Sequence, residues 1–122
     1  MGRGKYSEVF FGYSKSNNSK CVIKVLKPVK TEKIFREVKI LQVVYGGPNV
    51  IKMVDLVEEP ESKVPCFVYE HMPHTETKIL VPSLTDFDVR LYIFKILQAL
   101  LFAHSHGVMH RDVKPLNIVI NN

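Results

Sequence analysis

The stretch that decides the fold is His110-Arg111-Asp112-Val113-Lys114-Pro115-Leu116-Asn117, near the end of the 122-residue sequence. It places an aspartate, a lysine two residues later and an asparagine five residues after the aspartate in one short segment. Phosphoryl transfer from a nucleotide to a hydroxyl needs these three groups together. A carboxylate orients the hydroxyl and accepts its proton, a cation neutralises the γ-phosphate, and an amide oxygen holds a metal ion. The segment therefore predicts a phosphoryl-transfer site.

Composition and charge limit the classes of partner. The sequence is 46% hydrophobic, which is enough for one small domain with its own core. Its formal net charge of +5 favours an anionic partner such as a nucleotide or an acidic protein. The basic residues are dispersed and do not alternate with aromatic residues along one stretch. That pattern argues against a nucleic-acid partner.

Cysteine usage and hydropathy favour a soluble protein of the cytoplasm and nucleus. Cys21 and Cys66 lie in separate apolar segments without Cys-x-x-Cys spacing, which is typical of buried free thiols in a reducing compartment. No apolar run is as long as a membrane span, and the N-terminus lacks the apolar core of a signal peptide. We therefore expect no membrane association.

The hydrophobic pattern predicts two strands, a helix, two strands and a second helix, followed by a loop. The predicted strands are 9–11, 21–26, 51–57 and 66–69, and the predicted helices are 31–45 and 85–106. The polar run from Ser14 to Lys20 predicts a turn between the first two strands. Ile34, Val38, Leu41 and Tyr45 recur at helical spacing in the first helix, which Gly46-Gly47-Pro48 should end. Thr85-Asp86-Phe87-Asp88 resembles a capping box at the start of the second. This order predicts an α+β fold.

Two features of the first half have a structural and a functional interpretation. Gly2-Arg3-Gly4-Lys5-Tyr6-Ser7 is either flexible chain or a glycine-rich loop whose amides reach phosphate oxygens. Lys24, in an otherwise apolar strand, is either an exposed edge lysine or a phosphate-binding lysine. Glu37 borders the apolar face of the first helix and is the natural ion-pair partner, so the combination favours the functional interpretation.

Other charged or ligating residues are more ambiguous. His104, His106 and His110 lack the clustered cysteine or carboxylate ligands of a zinc site, and His104 and His106 suit the C-terminal end of a helix. Basic residues recur every three positions around the first helix, either as a solvated face or as a stripe that attracts acidic segments. They are Lys27, Lys30, Lys33, Arg36 and Lys39.

Together these motifs resemble the catalytic (alpha) subunits of casein kinase II, a family of eukaryotic protein kinases. The resemblance runs the whole length of the chain, in order and in register. It is carried by residues 2–10, 24–30, 36–41, 46–49, 70–71, 84–90 and 110–117. It implies a protein-kinase-like fold, with an antiparallel N-lobe sheet, one helix and the first part of a helical C-lobe. Residues 1–72 would then form the N-lobe and hinge, and residues 73–122 the start of the C-lobe.

The resemblance also implies a set of site residues. Asp112 would be the catalytic base, Lys114 the γ-phosphate contact and Asn117 a ligand of Mg²⁺. Lys24 and Glu37 would form the ion pair that anchors ATP, or GTP in its place. The other residues that the resemblance places around the nucleotide are Gly2, Gly4 and Ser7 of the phosphate loop, Val9, Val22 and Ile51 against the adenine, Tyr69 as gatekeeper, and Glu70, His71 and Met72 of the hinge.

The activity implied by the resemblance is transfer to serine or threonine in acidic protein substrates. A regulatory beta subunit would bind the N-lobe sheet. Three residues, Thr31, Glu32 and Phe35, interrupt the lysine run that is usual in this family, and Leu116 stands where the family usually has histidine.

The position of the last residue leads to a further expectation. The second metal-binding aspartate of a kinase would lie beyond Asn122, so we expect a truncated chain with little activity alone. The alternative hypothesis is a non-catalytic fragment that binds nucleotide or the regulatory subunit. We also expect the apolar stripe of the second helix to be exposed. Its members are Val89, Ile93, Ile96, Leu97, Leu100 and Leu101.

Overall fold

A computed structural model describes residues 2–3, 7–28 and 30–121. Its strands are β1 (Gly2–Arg3), β2 (Ser7–Tyr13), β3 (Lys20–Leu26), β4 (Met53–Glu58) and β5 (Pro65–Glu70). Its helices are α1 (Thr31–Val44), α2 (Thr77–Leu80) and α3 (Asp86–Ser105), and single 3-10 turns cover Val81–Ser83 and Pro115–Asn117. The predicted ββαββα order is therefore present. The short elements β1 and α2 were not predicted, because two and four residues are too few to show a periodic pattern.

The chain divides into two compact units. The sheet unit contains the residues up to Tyr45 together with Ile51–His71, and the helical unit contains Gly46–Val50 and the residues from Met72 onward. The predicted assignment of residues 1–72 and 73–122 to two kinase lobes stays a prediction.

The sheet unit is built on one antiparallel sheet with the strand order β1-β2-β3-β5-β4. The tight connection between β2 and β3 closes with a hydrogen bond from the Ser14 amide to the Ser19 carbonyl, and Asn18 adopts a left-handed φ of 54°. Asparagine tolerates that conformation better than most residues, so the predicted turn is confirmed. A bulge between Met53 and Asp55 shifts the register of β4 against β5.

The core of the sheet unit is small and centres on β3 and β5. Phe67 is fully buried, and Cys21, Leu26 and Cys66 are nearly so. Both cysteines are free thiols, as the sequence predicts. Burial raises the pKa of the Cys66 thiol, which makes this cysteine less reactive than an exposed one.

Helix α1 turns one side of its surface towards the sheet. Its less exposed residues are Ile34, Glu37, Val38, Leu41 and Val44, which recur at the spacing of one helical face. The prediction that Tyr45 continues this face is wrong. The backbone of Tyr45 is extended (φ −58°, ψ 131°), and its side chain is 61% exposed. Gly46 follows with φ of +78°, a conformation that favours glycine and carries the chain out of the helix.

Helix α3 dominates the helical unit and starts at the predicted capping box. Thr85 Oγ1 accepts a hydrogen bond from the Asp88 amide (3.2 Å), and Asp88 Oδ2 accepts one from the Thr85 amide (2.8 Å). The Thr85 side chain also donates to Asp88, and this hydrogen bond, with that of the backbone, lowers the pKa of the Asp88 carboxyl. The cap fixes the first turn of the helix that leads into residues 110–117.

The predicted apolar stripe of α3 is exposed in part. Val89, Ile93, Leu97 and Leu101 are exposed, whereas Ile96 and Leu100 are half-buried. Within the helical unit, Gly46–Val50 packs close to α3. A Cβ atom on Gly47 would overlap the Phe102 ring, so only glycine permits this approach. Among the described residues, no helix combines the length and apolarity needed to cross a membrane.

Candidate active site

In the sheet unit the structure brings Lys24 and Glu37 into contact. Lys24 Nζ lies 2.6 Å from Glu37 Oε1, and the two side chains are 30% and 36% exposed. The β2–β3–β5 register places Lys24 directly between Val9 and Phe67. The contact therefore joins the middle of the sheet to the sheet-facing side of α1, and it holds a cation where solvent can still reach it.

Several of the predicted nucleotide-binding residues share the Lys24 face of the sheet. Side chains alternate between faces along a strand, and directly paired residues lie on the same face. Ser7 and Val9 on β2, Val22 on β3 and Tyr69 on β5 therefore lie on the side of Lys24.

The remaining predicted nucleotide contacts are placed differently. Gly2 lies in β1 and pairs with Val9, whereas Gly4 lies outside the described residues. Ile51 precedes β4 and is exposed. Met72 belongs to the helical unit, where its carbonyl accepts a hydrogen bond from His74 Nδ1 at 3.0 Å.

Tyr69 is a half-buried phenol close enough to Glu37 to feel its charge. Burial first, and the negative charge of Glu37 second, raise the pKa of Tyr69 well above its usual range. The phenol thus stays protonated at any physiological pH. Its ring also packs against that of Phe67, with centroids 6.4 Å apart.

The end of β5 is held by its own hydrogen bonds. The Glu70 amide donates to the Lys52 carbonyl (3.0 Å), and the Lys52 amide donates to Glu70 Oε1 (2.9 Å). The next residue, His71, makes an edge-on contact with the Phe11 ring at a centroid distance of 5.7 Å. These contacts fix the strand end that the resemblance assigns to the hinge.

In the helical unit the structure brings Asp112, Lys114 and Asn117 together. Asp112 Oδ2 lies 2.9 Å from Lys114 Nζ and accepts a hydrogen bond from Asn117 Nδ2 at 3.0 Å. Asn117 Nδ2 also donates to the Asp112 carbonyl at 2.9 Å. The hydrogen bond from Lys114 contributes most to lowering the pKa of Asp112, and that from Asn117 acts in the same direction. The carboxylate is therefore fully ionised at neutral pH.

The backbone of this loop is strained at Arg111. Arg111 has a φ of +61°, in the left-handed region that residues with a Cβ rarely adopt. The following amide, that of Asp112, donates to His110 Nδ1 at 3.2 Å. Conformations of this kind persist where surrounding contacts hold them, and they concentrate at functional sites. The Asp112–Lys114–Asn117 contacts are such a set.

A comparison with models of protein families identifies the family of this chain. The family model of the protein kinase domain matches residues 1–122. The chain belongs to the protein kinase domain family. Its α+β architecture is the fold of that domain, and kinases of this family generally use ATP and Mg²⁺.

The amide oxygen of Asn117 has the chemistry of a ligand for a magnesium ion that is bound together with nucleotide phosphates. Because Asn117 Nδ2 points at Asp112, the amide oxygen of Asn117 points the other way and is placed to act as a ligand. Within the described residues, no three histidine, cysteine or acidic side chains cluster as a metal cage. Mg²⁺ usually keeps several waters and takes only one or two protein oxygens beside substrate phosphates, so such a cage is not required.

The histidines near the end of α3 have structural contacts. His106 follows the last helical residue, and its Nδ1 donates to the Phe102 carbonyl at 2.8 Å. Its ring lies 4.2 Å from the Phe102 ring, measured between centroids. The Phe102 carbonyl also accepts hydrogen bonds from the His106 amide (3.3 Å) and the Ser105 hydroxyl (2.8 Å), so His106 adds to the closure of the last helical turn.

Sequence reasoning missed two features, one in each unit. Phe67 is the cross-strand neighbour of Lys24, with Lys24 Nζ 5.7 Å from the ring centroid. Residues 24 and 67 are far apart in the sequence, so only the strand register reveals this contact. The left-handed backbone of Arg111 was also missed, because nothing in its residue type signals it.

Proposed function

We propose that this kinase transfers the γ-phosphate of ATP to serine or threonine in acidic protein segments, in the manner of the casein kinase II catalytic subunits. The observation that carries the proposal is the cluster of Asp112, Lys114 and Asn117, in which Lys114 Nζ and Asn117 Nδ2 lie 2.9 Å and 3.0 Å from Asp112 Oδ2. These are the three chemical groups that phosphoryl transfer to a hydroxyl requires.

In the proposed mechanism Asp112 orients the acceptor hydroxyl. Lys114 and Asn117 both contact Oδ2, so Oδ1 is placed to accept a hydrogen bond from the substrate. The hydroxyl oxygen attacks the γ-phosphorus, its proton passes to Asp112, and the bond between the γ-phosphorus and the bridging oxygen breaks to release ADP. Asp112 orients this hydroxyl before it accepts the proton late in the transfer.

Charge on the transferred phosphate must also be neutralised. Lys24, held by Glu37, would bind the α- and β-phosphates, and Lys114 would contact the γ-phosphate. Asn117 would hold Mg²⁺ through its amide oxygen, and the ion would withdraw charge from the phosphate oxygens.

An exposed basic stripe on α1 supports the preference for acidic segments. Lys33, Arg36 and Lys39 are all exposed and lie on the side away from the half-buried Ile34 and Val38. Three cations within two helical turns attract carboxylates near the acceptor residue. Thr31, Glu32 and Phe35 interrupt the basic run and should make the preference weaker than an unbroken lysine run would.

The second face of the sheet supports a protein partner of the regulatory beta type. Phe10, Ile23 and Val68 are directly paired across β2, β3 and β5, and each is half-buried. They lie on the opposite face from Lys24 and hence from α1. An apolar row of this kind is typical of a surface that binds another protein. On the same resemblance, we propose that the protein acts in the cytoplasm and nucleus.

The test is phosphate transfer from labelled ATP to a peptide in which serine is followed by acidic residues. In a chain extended through the rest of the kinase domain, we expect Asp112→Asn to lower turnover by roughly two orders of magnitude or more with little change in ADP affinity. Asp86→Asn is the matched control, since Asp86 is an exposed aspartate with its own cationic partner, Arg90, at 2.8 Å. Comparable losses of turnover and ADP affinity would remove Asp112 from the role of base.

Two further results would separate the alternatives. Replacing the acidic residues of the peptide with lysine should lower transfer, and equal transfer to both peptides would contradict the acidic preference. ADP binding without any transfer would instead support a non-catalytic module that binds nucleotide or the regulatory subunit.

A further inference from the structure

The strand register places an aromatic ring beneath the phosphate-binding lysine. Lys24 on β3 pairs directly with Phe67 on β5, so both side chains rise from the same face of the sheet. Lys24 Nζ lies over the Phe67 ring, 5.7 Å from its centroid, and Phe67 has 0% exposure. The same ammonium donates to Glu37 Oε1 at 2.6 Å.

The two contacts restrict the ammonium from two directions. A lysine ammonium has three N–H donors on a long flexible stem, and it loses rotamer freedom when it binds a ligand. Glu37 takes one donor, and the electron-rich face of Phe67 attracts the charge from below. This arrangement leaves N–H donors of the ammonium for a ligand. An aliphatic residue at position 67 would pack against the stem but would not attract the charge.

We infer that Phe67 is a positioning residue, which holds the Lys24 ammonium in the orientation that binds nucleotide phosphates. The inference rests on the proposed phosphate-binding role of Lys24. It adds that β5 contributes to phosphate binding through a residue that would not itself touch the nucleotide. Tyr69, two residues later on the same strand, packs against the Phe67 ring and helps to hold it in place.

The decisive measurement compares ADP with adenosine, which lacks the phosphates. Phe67→Leu should weaken ADP binding by roughly three- to tenfold, the range expected when one flexible side chain must be ordered on binding, and should leave adenosine binding unchanged. In a Lys24→Met background the same Phe67→Leu change should alter ADP affinity by less than about twofold, since no cation remains to be positioned. Calorimetric titration of the four proteins measures this coupling.

Cys66→Ala is the matched control. Cys66 is a buried neighbour on the same strand, but its side chain lies on the opposite face, so ADP and adenosine affinities should stay unchanged. Equal weakening of ADP and adenosine by Phe67→Leu would show a general disturbance of the sheet and overturn the inference. So would an undiminished effect of Phe67→Leu in the Lys24→Met background. A native chain that binds neither ligand would refute the proposed function itself.

A second measurement needs no variant and so does not depend on how Phe67→Leu folds. In the native chain the ring current of Phe67 should shift the ε-methylene protons of Lys24 upfield in the NMR spectrum, and ADP should leave that shift in place. An unshifted Lys24 signal would overturn the inference.

Discussion

Replacing Lys24 with methionine should change nucleotide binding much more than it changes the stability of the fold. The ion pair of Lys24 with Glu37 is about one-third exposed on each side, and pairs of this kind contribute about 0–1 kcal/mol to folding. The contact with Phe67 adds about 0.5–1 kcal/mol. Methionine keeps most of the apolar stem that packs between Val9 and Phe67, which offsets part of both losses. The free energy of unfolding should therefore fall by no more than about 1 kcal/mol.

Nucleotide binding should respond much more strongly. A hydrogen bond between charged groups contributes about 1.5–3 kcal/mol, so losing the ammonium should weaken ADP binding by roughly 10- to 150-fold and abolish transfer. Isothermal titration with ADP measures the loss of ADP affinity, and thermal or urea unfolding measures the change in the free energy of unfolding. Lys63→Met is the control, because Lys63 forms an exposed ion pair with Glu58 at 3.5 Å and should affect neither. An unfolded Lys24→Met protein, or one with undiminished ADP affinity, would refute the assignment.

Three further outcomes follow from the described contacts. Because the pKa of Asp112 is lowered from 3.8, its carboxylate should show no titration by ¹³C NMR between about pH 5 and pH 8. The contribution of Asp112 to folding stability is then fully present above the pKa of the unfolded state and is lost as pH falls through the lower native pKa. A titration of Asp112 near neutral pH would contradict its ion pair with Lys114. Thr85→Ala should destabilise α3 by about 1 kcal/mol in chemical unfolding, whereas an unchanged midpoint would mean that the capping box contributes little. Leu97→Gln with Leu101→Gln should reduce self-association in analytical ultracentrifugation without loss of helical circular dichroism, and a loss of helicity would show that this face is buried.

Local patterns in the sequence predicted much of the fold. The capping box of α3, the Ser14–Ser19 turn and the face of α1 all depend on residues within a few positions of one another. The spacing of residues in the sequence predicts such short-range contacts, because the backbone geometry of a helix or turn determines which nearby side chains can touch. Tyr45 shows the limit of such patterns, since its apolar character fits the helical period but the helix ends before it.

The sequence by itself determined that Asp112, Lys114 and Asn117 lie close together, because five residues cannot separate them far. It also indicated Glu37 as the partner of Lys24, through the apolar period of α1. Only the tertiary structure decided that Phe67 lies under the Lys24 ammonium. That contact depends on the register of two strands joined through a helix and another strand. Register is set by the packing of the whole sheet and of its bulge at β4, so no local pattern around position 67 could predict it.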